Sequence, residues 1–214
     1  MEYIVKVEDV NKSFKNEQVL KNINVRFECG KIYGIVGKNG SGKTMLFKTI
    51  IGYIRADSGK VYVNGKEIGK DTDFAEDIGV IIETPGFLSN YTAYKNLEYL
   101  AGIQSKISKQ QIKDAIVMVG LDAESKKKVG KFSLGMRQRL GIAQAIMENP
   151  KLLILDEPMN GLDKQGIQIV KELLGRLKKE GKTIILASHY AEDMDICDEI
   201  YEMEDGVLER KLDV

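Results

Sequence analysis

The segment GKNGSGKT, residues 37–44, constrains this chain more than any other stretch of comparable length. It follows an apolar run at 32–36 and precedes a helix-like stretch at 45–51, so the order reads strand, glycine-rich loop, helix. That is the G-x-x-x-x-G-K-[ST] pattern in the setting its chemistry requires. Gly37, Gly40 and Gly42 let the backbone turn and approach a ligand closely, so that successive N–H groups and the helix N-terminus face phosphate oxygens. Lys43 supplies a point charge for the outer phosphates. Thr44 offers a hydroxyl to Mg²⁺, an ion that keeps several waters and takes few protein ligands. Lys38, Asn39, Ser41 and Met45 complete the segment expected to wrap a nucleotide. The alternative is a flexible glycine turn with a solvated lysine, and the strand-to-helix setting argues against it. Loops of this kind serve many enzymes, so the rest of the chain has to discriminate.

A second site lies at KLLILDEP, residues 151–158, an apolar strand ending in two carboxylates. Open parallel sheets bind ligands at the C-terminal ends of their strands, which positions Asp156 to hold Mg²⁺ and Glu157 to act as a general base on an attacking water. Without a phosphate-binding loop upstream, two solvated acids at a strand end would be the better reading.

The remaining pattern predicts an α/β fold, a P-loop nucleoside-triphosphatase core with a mostly parallel sheet, an N-terminal antiparallel β subdomain and an inserted helical subdomain. Residues 3–10 and 19–27 largely alternate apolar and polar side chains, as antiparallel strands with one buried face do. Asn64-Gly65 between two short strand-like segments signals a type I′ hairpin. Buried-strand patterns recur at 78–82, 152–155 and 183–187. Between the first two, residues 84–131 read as all-helical, with Thr92 and Ser108 as caps and Gln111 at capping-box spacing from Ser108. The helical subdomain is expected over about 84–150, within a single domain of residues 1–214. Asp163 can cap a helix whose Ile167, Val170, Leu173, Leu174 and Leu177 share one face, ending at Gly181. Asp205-Gly206 suggests a closing hairpin.

Composition narrows the function classes. Acidic and basic side chains balance at 32 each, which lacks the basic excess of a protein that binds nucleic-acid backbones. The two cysteines, Cys29 and Cys197, form no C-x-x-C pair, and a reducing cytoplasm fits them best. The apolar runs fall far short of the ~20 residues a membrane helix needs. MEYIVKVEDV at the N-terminus has neither the basic nor the apolar region of a signal peptide. Any membrane role is expected to come through a partner. The run Lys126, Lys127, Lys128 and Lys131 reads as a solvated face, with anionic lipid or nucleic acid as the alternative.

Three further motifs follow in order: FSLGM at 132–136, NGLD at 160–163, and Ser188-His189 after a strand. With GKNGSGKT and KLLILDEP, they make the whole chain resemble the nucleotide-binding subunits of ATP-binding cassette transporters. The resemblance implies an ATPase with ATP and Mg²⁺ as cofactors and a second ATP-binding subunit as partner, identical or different. It also implies an integral membrane permease, with the chain at the cytoplasmic face of a bacterial membrane. Members of the family sandwich two ATP molecules head to tail, so Ser133 and Gly135 would contact the γ-phosphate bound by the opposite subunit. Asn160 to Asp163 would lie at that interface. His189, the one histidine of the chain, would contact the γ-phosphate and help hold the attacking water. Phe14 would stack on adenine, unless it is an ordinary core aromatic.

Two departures matter. The family's glutamine before the helical subdomain is replaced by Glu83, which can still reach Mg²⁺ but cannot donate a hydrogen bond when ionised. The signature LSGGQ is replaced by FSLGM, which keeps the serine and the second glycine. Both features resemble the branch of bacitracin and lantibiotic peptide exporters. A soluble cassette acting on ribosomes or DNA is the alternative function, although such relatives carry paired cassettes or long coiled coils.

Overall fold

The computed structural model describes residues 3–15 and 17–211. The first two residues of MEYIVKVEDV, Asn16 and residues 212–214 lie outside the described residues. The chain runs β1 (Tyr3–Phe14), β2 (Glu17–Glu28), β3 (Ile32–Val36), α1 (Lys43–Ile50), β4 (Ser58–Val63), β5 (Lys66–Glu67) and β6 (Ile78–Ile81). It continues through α2 (Ala93–Gln104), α3 (Lys109–Met118), α4 (Leu134–Ile146), β7 (Leu152–Asp156), α5 (Lys164–Lys179), β8 (Thr183–Ser188), β9 (Glu199–Glu204) and β10 (Val207–Lys211). Short 3₁₀ turns occupy Val129–Lys131 and Ala191–Ile196.

The alternating N-terminal segments pair antiparallel, with Val5 opposite Phe27 and Val7 opposite Val25, in a four-stranded sheet of order β2-β1-β4-β5. Asn64 and Gly65 both take positive φ, 51° and 78°, as a type I′ turn demands. The second sheet has order β10-β9-β3-β8-β7-β6 and is parallel apart from the β9–β10 hairpin. Its central strands are buried on both faces, which explains their unbroken apolar runs. Leu153, Leu155, Ile184 and Leu186 point into a core shared with α2 to α5. Leu152, Ile154, Ile185 and Ala187 point the other way, into a core shared with α1 and the antiparallel sheet.

Side chains define the helix starts. Thr92 accepts a hydrogen bond from the Lys95 N–H, and Ser108 and Gln111 form the reciprocal capping box. The reading of 84–131 as all-helical is too broad. Residues 84–91 and 119–128 are irregular, because Pro85-Gly86 interrupts helix formation and the carbonyls of Ser89 and Tyr91 accept from the N–H groups of Gly130 and Val129. Of the three helices between β6 and β7, α4 packs against the sheet edge and α5 as well as against α3.

Gly79 makes the close packing of α4 on β6 possible, since a Cβ there would lie 1.9 Å from the Ala145 carbonyl oxygen. We expect Gly79→Ala to destabilise the chain by about 1–3 kcal/mol, or to prevent folding, by forcing α4 off the sheet. Gly175, inside α5 with nothing within 4 Å of the same position, should gain roughly 0.5–1 kcal/mol on the same substitution. Urea unfolding of both variants checks the contrast.

Candidate active site

The glycine-rich loop leaves β3 at Val36 and is held from outside itself. Gly37 N–H donates to the Ser188 carbonyl at 3.3 Å, and Gly206 N–H, from the β9–β10 turn, donates to the Ser41 carbonyl at 2.9 Å. A Cβ on Gly37 would sit 2.3 Å from the Met203 carbonyl oxygen, and Gly42 has φ 113°, so both positions require glycine. No side chain caps α1, which leaves its first-turn N–H groups for an anion. Lys43, only 5% exposed, folds back to donate from Nζ to the carbonyls of Gly37 at 2.5 Å and Lys38 at 3.1 Å. A half-open cavity here, about 190 Å³, is lined by Val19, Asn39, Gly40, Ser41, Gly42, Lys43, Thr44, Met45, Asp156 and Glu157.

The end of β7 brings the carboxylates to this loop. Thr44 Oγ1 donates to Asp156 Oδ2 at 2.6 Å. Asp156 Oδ1 and Ser41 Oγ are buried without a hydrogen-bond partner, an arrangement that favours filling by a ligand. Burial pushes the Asp156 carboxyl above its ordinary range; the Thr44 hydrogen bond opposes this, while the charges of Glu157 and Glu83 add to it. A hydroxyl beside a carboxylate with one open oxygen fits Mg²⁺, which needs only one or two protein ligands. No group of three or more His, Cys, Asp or Glu side chains placed to hold a metal occurs among the described residues.

Glu157 adopts φ 50°, in the left-handed region. Its N–H donates to the Ala187 carbonyl at 2.9 Å, and its own carbonyl accepts from Asn160 N–H at 3.1 Å and from Gln138 Nε2 at 3.0 Å. Its side chain reaches two neighbours: Oε2 meets His189 Nδ1 at 2.8 Å, and Oε1 lies 3.8 Å from Lys43 Nζ. With Nδ1 donating to the carboxylate, Nε2 of the His189 ring is left for another partner. His189 sits just beyond β8. The turn is set by Ser188, whose Oγ donates to Asp193 Oδ2 at 2.6 Å and accepts from the Tyr190 N–H at 3.1 Å.

The other predicted residues lie outside the cavity lining. Ser133 is exposed and caps α4, accepting from Met136 N–H at 3.2 Å. Gly135 is pressed against the NGLD loop, where a Cβ would lie 2.9 Å from the Gly161 carbonyl oxygen. Glu83, two residues beyond β6 with φ 62°, forms an ion pair of 2.5 Å with Lys48 of α1. Phe14 is 45% exposed beneath Lys12, whose Nζ is 5.2 Å from the ring centroid, which removes the core-aromatic alternative. Sequence reasoning missed Val19, hidden in the alternation of β2, and Lys48, one of many lysines. It also missed Gln138, a polar residue on the face of α4 that buries Gly141, Ile142 and Ala145.

A protein-family model described as "ABC transporter" matches residues 20–160. A Bacillus subtilis protein named as an uncharacterized ABC transporter ATP-binding protein, YybJ, is 44% identical over 207 residues, covering 96% of this chain and 95% of that one. The chain belongs to the ABC transporter family. It is an ATP-binding, ATP-hydrolysing cassette. The bacitracin transport ATP-binding protein BcrA of Enterococcus faecalis is 41% identical, covering 100% of this cassette and 70% of that protein. The lantibiotic transport ATP-binding protein SrtF of Streptococcus pyogenes is 38% identical over 90% of the cassette and 82% of its own length. Among solved structures, cbiO1 of Clostridium perfringens, part of the cbiONQ transporter complex, superposes with a TM-score of 0.81 at 29% identity, covering 98% and 88% of the two chains. The fold is also that of the dimeric cassette MJ0796 in a post-hydrolysis state, with a TM-score of 0.86 over 98% of this cassette and 100% of that chain. No helix among the described residues is long and apolar enough to cross a membrane.

The raised Asp156 carboxyl has a consequence for stability. The folded cassette binds that proton more tightly than the unfolded chain, so stability falls as pH rises from the ordinary carboxylate range through the raised folded value. Near neutral pH the buried carboxylate is therefore a net cost. Asp156→Asn is expected to melt higher than the parent near neutral pH without nucleotide, and the gap should close as the solution is acidified. Differential scanning fluorimetry across pH measures both.

Proposed function

We propose that this cassette hydrolyses MgATP in a head-to-tail pair with a second ATP-binding subunit and drives a separate membrane permease that exports a peptide antibiotic. The observation that carries the hydrolytic part is the Glu157–His189 contact of 2.8 Å beside the buried Lys43. Lys43 and the uncapped N-terminus of α1 bind the phosphates, and Phe14 stacks on the adenine. Thr44 and Asp156 hold Mg²⁺, with Glu83 within its electrostatic reach; when bound, the ion neutralises charge developing on the phosphates. Glu157 accepts a proton from the attacking water, and His189 holds Glu157 through Nδ1 while presenting Nε2 to the γ-phosphate side. Ser133 and Gly135 complete the site of the opposite subunit, their helix N-terminus being aimed at its γ-phosphate.

The exporter reading rests on the similarity to the bacitracin and lantibiotic transport proteins, together with Glu83 and FSLGM. The cassette then works at the cytoplasmic face of a bacterial membrane. Support for a coupling surface on the helical unit of about 84–150 comes from the exposed side chains of Leu88, Tyr91, Tyr99 and Ile103.

Glu157→Gln should cut turnover by ~10²–10⁴ while leaving ATP binding intact, and light scattering should show its mass double on adding MgATP. A variant that binds ATP yet stays monomeric would count against the paired arrangement, and one that hydrolyses at the parent rate would remove Glu157 as the base.

A further inference from the structure

We infer that Gln138 is a positioning residue for hydrolysis, tying the backbone of Glu157 to the helix that carries Ser133 and Gly135. The inference rests on the reading of Glu157 as the base. Gln138 is 8% exposed and lies on the α4 face that buries Gly141, Ile142 and Ala145. A long polar side chain there loses rotamer freedom and solvation, and is retained without loss of stability only if it is hydrogen-bonded. Its Nε2 donates 3.0 Å to the Glu157 carbonyl.

That carbonyl is the point where restraint matters most. Glu157 is a non-glycine residue at φ 50° and is followed by Pro158, whose ring further narrows the conformations open to the residue before it. Left alone, this backbone would relax, and its carboxylate would swing away from His189 and Lys43. Asn160 N–H restrains the same carbonyl from within the local turn. Gln138 is different in kind, because it comes from another element. α4 begins at Ser133, so the helix end offered to the facing subunit and the carboxylate serving the cassette's own nucleotide are joined by one rigid helix and one side-chain amide. Any shift of α4 on pairing is thereby delivered to Glu157. A displacement of about 1 Å is enough to cost on the order of a hundredfold in rate.

The test uses the purified chain in single-turnover hydrolysis of labelled ATP, with affinity read from a fluorescent ATP analogue. Gln138→Met keeps the length and removes the donor. It should slow hydrolysis by about 10- to 100-fold, with affinity within about twofold and a melting temperature lowered by no more than the few degrees that one lost hydrogen bond costs. Combined with Glu157→Gln it should slow hydrolysis no further than Glu157→Gln alone, because it acts through Glu157. Gln138→Glu supplies a second readout: its ionised carboxyl cannot donate, but the protonated form can, so its rate relative to the parent should rise as pH falls. A Gln138→Met rate within twofold of the parent, losses that multiply in the double variant, or a pH-independent Gln138→Glu ratio would each overturn the assignment. Parent-like hydrolysis by Glu157→Gln would instead overturn the reading of Glu157 on which it stands.

Discussion

The register of three neighbouring parallel strands organises everything at the nucleotide end of this cassette. Val36 lies opposite Ser188 and Asp156 lies opposite Ala187, so β3, β8 and β7 end side by side. Each strand then delivers a different chemical group within one residue of its end: the glycine-rich loop, His189, and the Asp156-Glu157 pair. A slip of one residue in any strand would turn its apolar side chains to the wrong core and withdraw its contribution to the site. Packing on both faces of the sheet therefore sets the geometry of the candidate site as well as stability.

The site itself is held under electrostatic tension. Asp156 and Lys43 are buried, Asp156 keeps an oxygen without a partner, and Lys43 donates to its own loop carbonyls. Such an arrangement favours an incoming polyanion and its cation over the empty pocket. The cost is carried by the cores on either side, where fully buried Leu, Ile and Phe side chains surround the strand ends.

Much of this was legible in the sequence, for physical reasons. The glycine pattern, the apolar strands and the caps at Thr92, Ser108 and Asp163 are local signals, and local signals survive in a linear reading. The α/β architecture with its antiparallel annex followed from alternation against unbroken apolar runs. What escaped depends on contacts between residues far apart in the chain. Val19 reaches the cavity because β2 passes beside the loop, Lys48 meets Glu83 across the sheet edge, and Gln138 reaches over to Glu157. Of these, Gln138 alone left a trace, as a polar residue on a buried helical face. The extent of helix between β6 and α2 was overstated because the loop around Pro85 satisfies its carbonyls from the distant Val129 and Gly130.

The seam between Ser41 and Gly206 also carries a temporal meaning. Residues of the loop leave the ribosome before Met203 and Gly206, which support it from the β9–β10 hairpin, have been made. During synthesis the loop has its glycines but not its backing. A chain that stops short of the hairpin therefore lacks the backing that holds the loop in its folded shape.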